Sequence, residues 1–210
     1  MIKRCIIITA FLDCDISEVY TKQDGDYIIC ADGGIEVAKE SGIIPNVVIG
    51  DLDSVDNVDS VFEFHRFPKE KDDTDTLLCL KYGLELGYRS FIIIGGIGGR
   101  FDHTFANIQT VAYAKNQGAD AHLYSYDTCC RMIENGESIV IPKKEGFYLS
   151  VFSYSDICEG VLLRGTKYEL ENGVLTIKNT MDFLSTEHLS FVKVLSVRKR
   201  HLSFLATARI

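Results

Sequence analysis

No Cys-x-x-Cys pair occurs in this chain, no apolar run is long enough to cross a bilayer, and basic residues are outnumbered by acidic ones. Each absence excludes a class. The seven cysteines, Cys5, Cys14, Cys30, Cys79, Cys129, Cys130 and Cys158, lack the spacing of a zinc or redox site. Several lie in apolar surroundings such as Arg4-Cys5-Ile6-Ile7-Ile8, and all read as small buried hydrophobes in a reducing compartment. The apolar stretch that follows Arg4 ends at Thr9, too short for a signal core or a membrane span, so a cytoplasmic location and no membrane partner are expected. A formal net charge of −8 argues against a nucleic-acid partner, which needs clustered Lys and Arg for its phosphates. The one basic run, Arg198-Lys199-Arg200-His201, reads as a solvated turn.

What is present is enough for a real core: 46% of the residues are hydrophobic and 25% charged. Up to about residue 125, short apolar runs alternate with helical stretches. Cys5–Thr9, Tyr27–Ala31, Val47–Gly50, Phe91–Gly95 and Ala121–Tyr124 are nearly continuous in apolar residues, as strands covered on both faces are. Helices are predicted at Gly34–Ser41, Asp75–Leu86 and His103–Asn116. The alternation predicts an α/β domain with a mainly parallel sheet. Beyond Asp127 the texture changes to short strand-like segments: Ser138–Ile141, Phe147–Ser153, Gly160–Leu163, Val174–Lys178, Leu189–Val197 and Ser203–Ala208. Glycines punctuate them without a helical period, which predicts a small all-β domain, a sandwich or a barrel. The expected domains are therefore 1–128 and 129–210.

In an open α/β sheet, ligands bind beyond the carboxyl ends of the strands, so the residues that follow each strand carry the argument. Asp32-Gly33-Gly34 follows the second strand, Asp51-Leu52-Asp53-Ser54 the third, and Gly95-Gly96-Ile97-Gly98-Gly99-Arg100-Phe101-Asp102-His103 the Phe91 strand. Asp51 and Asp53, two apart on an extended segment, point the same way. Their repulsion, roughly 4 kcal/mol at 4 Å and an effective dielectric of 20, is removed by a cation. Hard oxygen donors without Cys or His favour Mg²⁺, which bridges one or two carboxylates to substrate phosphates.

Lys71-Asp72-Asp73-Thr74-Asp75 precedes a helix, and one of these residues is its cap. Asp75 is a further metal or substrate candidate, and Lys71, Asp72 and Thr74 are candidates for substrate contact. The Gly95–Gly99 run lacks the Gly-Lys-Ser/Thr ending of a P-loop and the Gly-x-Gly-x-x-Gly spacing of a dinucleotide fold. Gly96 and Gly98 still allow backbone N–H groups to approach phosphates, with a helix N-terminus behind them. Arg100 offers a bidentate phosphate contact. Asp102 and His103 open the helix, Asp102 as a catalytic candidate or simply a cap. No Ser/His/Asp or Cys/His nucleophile set stands out, which suits direct transfer of a phosphoryl-type group.

These motifs, Ala31-Asp32-Gly33-Gly34, Gly50-Asp51-Leu52-Asp53-Ser54, Lys71-Asp72-Asp73-Thr74-Asp75 and Gly99-Arg100-Phe101-Asp102-His103, resemble in order those of the thiamine pyrophosphokinases. Gly165-Thr166-Lys167-Tyr168-Glu169-Leu170 and Leu184-Ser185-Thr186-Glu187 are similar to that family's C-terminal motifs. The resemblance implies a catalytic domain for ATP and Mg²⁺ followed by a thiamine-binding β domain, in a homodimer with active sites between subunits. It implies transfer of pyrophosphate from ATP to the thiamine hydroxyl, with release of AMP. Asp51, Asp53 and Asp75 are then the metal ligands, Asp32, Gly33, Gly96, Gly98, Arg100 and His103 lie at the nucleotide with Asp102 beside them, and Tyr168 and Ser185 line the thiamine pocket.

Two positions depart from the pattern. Bacterial members tend to carry Leu where this chain has Thr166, and Ser-Asn-Glu where it has Ser185-Thr186-Glu187. Both touch the acceptor half, so pyrophosphoryl transfer to another hydroxymethyl heterocycle, such as a pterin, is an alternative. A nucleotide or thiamine sensor without turnover is a second.

Overall fold

The computed structural model describes residues 3–50, 63–66, 72–142, 146–166, 168–178, 182–183, 191–195 and 203–209. Asp51, Asp53, Lys71 and Ser185 lie outside the described residues. The chain divides into two compact units, Met1–Tyr126 and Asp127–Ile210.

In the first unit, β1 (Cys5–Ile8), β2 (Tyr27–Ala31), β3 (Val47–Gly50), β4 (Glu63–Arg66), β5 (Ser90–Ile94) and β6 (Asp120–Tyr124) form a sheet in the order β6-β5-β1-β2-β3-β4. Every pairing is parallel, with Ile7 of β1 opposite Ile29 of β2 and Ile93 of β5. Helices α1 (Gly34–Glu40), α2 (Asp75–Glu85) and α3 (Phe101–Asn116) fall between strands along the chain. The β1 side chains are buried throughout, as an apolar run covered on both faces must be. Ile6, Ile8, Ile28, Cys30, Val48 and Ile94 pack with Ile35 and Ala38 of α1 in one core cluster. Each fully buried Ile contributes about 1.5–3 kcal/mol of transfer free energy.

The order also fixes where a ligand can enter. The chain runs from β1 out to β4 on one side, then returns to β5 and β6 on the other. Neighbouring connections therefore diverge between β1 and β5, and a crevice opens at their carboxyl ends.

Asp26 anchors the opposite ends of β1 and β2. Its buried carboxylate accepts hydrogen bonds from Arg4 Nε (2.8 Å) and Nη2 (2.6 Å), the Tyr20 hydroxyl (2.8 Å) and the Gln23 N–H (2.8 Å). Burial alone would raise its pKa, but these donors together hold it below the ordinary 3.8. Asp26→Ala is expected to destabilise the fold by about 3 kcal/mol, since it leaves Arg4 and Tyr20 unpaired in a largely buried place. Because the folded carboxyl is the stronger acid, its contribution is complete above the unfolded value and fades as pH falls through the folded one. Melting curves should therefore separate wild type from Asp26→Ala at pH 7 and converge below about pH 4.

Cys5, Cys30, Cys79, Cys130 and Cys158 are buried thiols, and burial pushes Cys5, Cys30 and Cys130 up to about 12. At neutral pH these three are neutral packing groups.

The second unit is antiparallel, as its glycine-punctuated texture predicts. One sheet has the order β12 (Asp182–Phe183), β9 (Phe147–Ser153), β14 (Ser203–Arg209), β7 (Thr128–Ile133). The other has β11 (Leu170–Thr176), β10 (Ile157–Arg164), β13 (Phe191–Leu195), β8 (Ser138–Pro142). Ile133, Leu149 and Val151 of the first sheet share a core with Cys158, Val161, Leu163 and Leu175 of the second, which makes the unit a sandwich. Three strands differ from expectation, the shortest being β12, which falls between the expected segments. β4 reads as loop because Glu63-Phe64-His65-Arg66 is short and polar, and β7 lies where the sequence suggests a domain boundary.

Candidate functional site

A cleft of about 350 Å³ opens in the first unit, and its wall includes Thr9–Phe11, Asp32, Thr74–Thr76, Gly96, Gly98, Arg100, His103 and Asn107. It lies at the carboxyl ends of β1, β2 and β5, where the strand order places a crevice. Thr9 ties two of those ends together: its N–H and its hydroxyl both donate to the Ile94 carbonyl, each at 3.0 Å.

Asp32 follows β2 in the left-handed region, with φ of 45°. A non-glycine residue there is uncommon, although Asp is among the residue types that tolerate it. Its N–H donates to the Ile49 carbonyl at 2.8 Å, and its carbonyl accepts the first hydrogen bond of α1 from Ile35 N–H at 3.3 Å. The Oδ1 atom is buried and has no hydrogen-bond partner among the described residues. A Cβ on Gly50 would come within 3.0 Å of that same oxygen, so a glycine before Asp51 leaves the room that Asp32 needs. A buried anionic oxygen without a donor is costly, and a cation is the group that relieves it. Among the described residues, no three Cys, His, Asp or Glu side chains gather as a metal site.

Gly33 and Gly34 serve packing. Added Cβ atoms would sit 3.1 Å from Ala10 Cβ and 2.1 Å from the Ile8 carbonyl oxygen, so α1 starts hard against the end of β1.

Thr74 caps α2 by accepting from the Leu77 N–H at 3.3 Å, and Asp75 follows as the first helical residue on the cleft wall. Asp73 pairs with Lys81 at 2.5 Å, and Lys81 also lies 5.4 Å from the centre of the Tyr113 ring, joining α2 to α3. Asp72 is exposed and does not line the cleft.

The glycine run differs from a phosphate cradle. The Gly95 N–H donates to the Tyr124 carbonyl (2.7 Å), the Gly96 N–H to the Phe11 carbonyl (2.7 Å) and the Gly98 N–H to Thr104 Oγ1 (3.0 Å). These three donors hold the loop in shape and are not free for an anion. Asn107, 5% exposed, donates to the Gly96 carbonyl at 2.9 Å from the first turns of α3.

Arg100 precedes α3 and grips Asp102 with Nε (3.2 Å) and Nη2 (2.5 Å). These hydrogen bonds lower the Asp102 carboxyl below its usual range and raise the Arg100 guanidinium, so both are charged at neutral pH. The Asp102 bonds use the Nε–Nη2 edge of the guanidinium and leave Nη1 pointing elsewhere. Arg100 and His103 line the cleft, whereas Asp102 does not.

The structure thus brings Asp32, Thr74, Asp75, Gly96, Gly98, Arg100 and His103 to one cleft. Gly33, Asp72 and Asp102 stand off its wall. Tyr168, in the second unit, is 56% exposed, and its carbonyl accepts a hydrogen bond from the buried Thr166 hydroxyl at 2.7 Å. Thr9, Phe11 and Asn107 are on the wall without having been singled out in the sequence. For Asn107 a signal exists: it lies four residues after His103, on the same face of α3.

The first unit is thus an α/β domain whose switch-point cleft carries carboxylates, a guanidinium and an imidazole. Residues 20–123 match the family model described as "Thiamin pyrophosphokinase, catalytic domain". Over this stretch, about half of its length, the chain matches the thiamin pyrophosphokinase family. The thiamine pyrophosphokinase of Bacillus subtilis (strain 168) is 29% identical over 159 residues, 73% of this chain and 74% of that protein. In structure, the chain is similar to the Bacillus subtilis enzyme with a TM-score of 0.87 at 24% identity, covering 99% of this chain and all of that one. The enzyme of Geobacillus thermodenitrificans gives 0.84 at 18% identity, covering 99% and 98%. Yeast thiamin pyrophosphokinase gives 0.75 at 13% identity, covering 99% and 86%. These likenesses extend the shared fold across both units.

Proposed function

We propose that the chain catalyses transfer of the β,γ-pyrophosphoryl unit of ATP to the thiamine hydroxyl. A bond forms between the thiamine oxygen and the β-phosphorus, the bond from that phosphorus to the α,β-bridging oxygen breaks, AMP leaves with the oxygen, and the hydroxyl proton passes to solvent. The observation that carries this reading is the buried Oδ1 of Asp32, without a hydrogen-bond partner among the described residues, facing the strand end that continues into Asp51 and Asp53, in a cleft shared with Asp75 and Arg100.

Mg²⁺ fits this all-oxygen donor set, and when bound it would neutralise the triphosphate and polarise the phosphorus under attack. Asp51, Asp53 and Asp75 would hold it, and Asp32 would face it. Arg100 and His103 would orient the phosphates, with Asp102 setting the guanidinium so that Nη1 reaches the anion. Lys71 and Thr74 belong to the substrate side, whereas Asp72, off the cleft wall, does not. Residues 1–128 would act as the ATP and Mg²⁺ domain, and 129–210 as the thiamine domain through Tyr168 and Ser185. The family resemblance supports a cytoplasmic homodimer with active sites between subunits. No helix among the described residues is long and apolar enough to cross a membrane.

Acceptor identity is tested by competition: thiamine and a hydroxymethylpterin are offered together with ATP and Mg²⁺. Thiamine diphosphate should be the product. Pyrophosphorylated pterin in its place would move the chain to another acceptor. Arg100→Lys keeps the charge and loses the planar fork, so ATP affinity should fall about tenfold with thiamine binding unchanged. Isothermal titration with each ligand separately checks this.

A further inference from the structure

Phe11 is an aromatic side chain that the fold takes trouble to place. Its carbonyl accepts from the Gly96 N–H at 2.7 Å and from the Thr9 hydroxyl at 3.3 Å, which fixes the backbone on both sides of the β1–β5 switch point. Its ring lies across two consecutive glycines. A Cβ on Gly98 would come within 3.1 Å of one ring edge, and a Cβ on Gly99 within 3.1 Å of the other. Both glycines have positive φ, 91° and 60°, so the loop bends to receive the ring as well as leaving room for it. With the N–H groups of Gly95, Gly96 and Gly98 already committed, the glycine run is a seat for an aromatic ring.

That seat does not bury the ring. Phe11 remains 42% exposed and forms part of the cleft wall. A ring fixed on one side by backbone and open on the other to a ligand cleft offers a stacking face with little entropy left to lose.

We infer that Phe11 is the platform on which the purine of the nucleotide stacks, and therefore a determinant of nucleotide affinity. The inference deepens the reading of the cleft as an ATP site and rests on it. The sheet order selects the purine over the acceptor ring. Asp32 follows β2, and beyond Gly50 of β3 the sequence continues into Asp51 and Asp53, so the charges proposed to receive the phosphates belong to the connections after β2 and β3. Phe11 follows β1 and rests on the loop after β5, on the far side of those charges. A nucleotide laid along this edge has its β- and γ-phosphates toward the carboxylates and its base over Phe11, with Arg100 on the same loop that seats the ring. The acceptor must approach the β-phosphorus opposite the departing AMP, away from the base.

Two ligands separate stacking from phosphate binding: MgATP and magnesium with inorganic triphosphate, each titrated calorimetrically into the full chain without thiamine. Phe11→Ala should weaken MgATP about tenfold or more and leave triphosphate unchanged, while Phe11→Tyr stays near wild type. Phe11→Leu, which refills the seat without a π face, should resemble Phe11→Ala and serves if the smaller variant does not fold. Equal losses for both ligands would make the ring a support for the loop and overturn the inference. So would unchanged MgATP affinity, or a loss seen only with thiamine. If wild type binds triphosphate as tightly as MgATP, the base makes no contact, and the platform falls while the phosphate site stands. Wild type binding neither ligand would remove the ATP reading and the platform together.

Discussion

Asp32→Asn is expected to lower thiamine-dependent AMP formation by about a hundredfold or more, with the melting temperature unchanged or slightly raised. The substitution is nearly isosteric, and Asn tolerates the left-handed backbone that residue 32 adopts at φ 45°. The hydrogen bonds from Asp32 N–H to Ile49 and from Ile35 N–H to the Asp32 carbonyl are main-chain bonds and survive the change. What is lost is the charge on a buried oxygen that has no hydrogen-bond partner among the described residues. An unpaired buried charge destabilises the empty fold and acts only when a cation or its phosphate ligand arrives, so its removal should cost function and not stability. Rates and melting curves on the same preparation decide the point. A large drop in melting temperature at retained turnover would make Asp32 a structural residue.

Gly34→Ala should produce the largest effect on folding. Its Cβ would stand 2.1 Å from the Ile8 carbonyl oxygen and 2.8 Å from the carbon of the same group, both main-chain atoms of the central strand. Neither can turn aside as a flexible side chain would, so α1 must retreat from β1 and the Ile35 and Ala38 packing opens with it. A loss of about 3–5 kcal/mol is expected, read as a fall of roughly 10 °C in melting temperature or as insoluble protein. A melting temperature within about 2 °C of wild type would show that the start of α1 is not held as described.

The parallel half of the fold is legible in sequence for a physical reason. Strands buried on both faces, such as Cys5–Ile8 and Val47–Gly50, must be apolar at every position, and that pattern survives without tertiary information. The edge strand Glu63–Arg66 needs no such run and reads as loop. Thr128–Ile133 mixes polar and apolar residues and owes its place to pairing with Ser203–Arg209, far away in sequence.

At the site, side chains that follow strands were visible because topology sends them to one edge. What each one does there was less so. Gly95, Gly96 and Gly98 are the residue types a phosphate loop uses, yet their N–H groups bind Tyr124, Phe11 and Thr104. Asp102 has the chemistry of a general base, but Arg100 holds its carboxylate. Phe11 gains its importance only from contacts made across the fold, which no local pattern announces, whereas Asn107 shares its helix face with His103 and is legible to that extent.

The central claim is that an intact pyrophosphoryl unit moves to thiamine. The direct measurement is to incubate the chain with Mg²⁺, thiamine and ATP labelled at the γ-phosphorus, then separate the products. The label should appear in thiamine diphosphate, with one AMP formed for each and none without thiamine. ADP accompanied by labelled thiamine monophosphate, or labelled inorganic phosphate released whether or not thiamine is present, would contradict it.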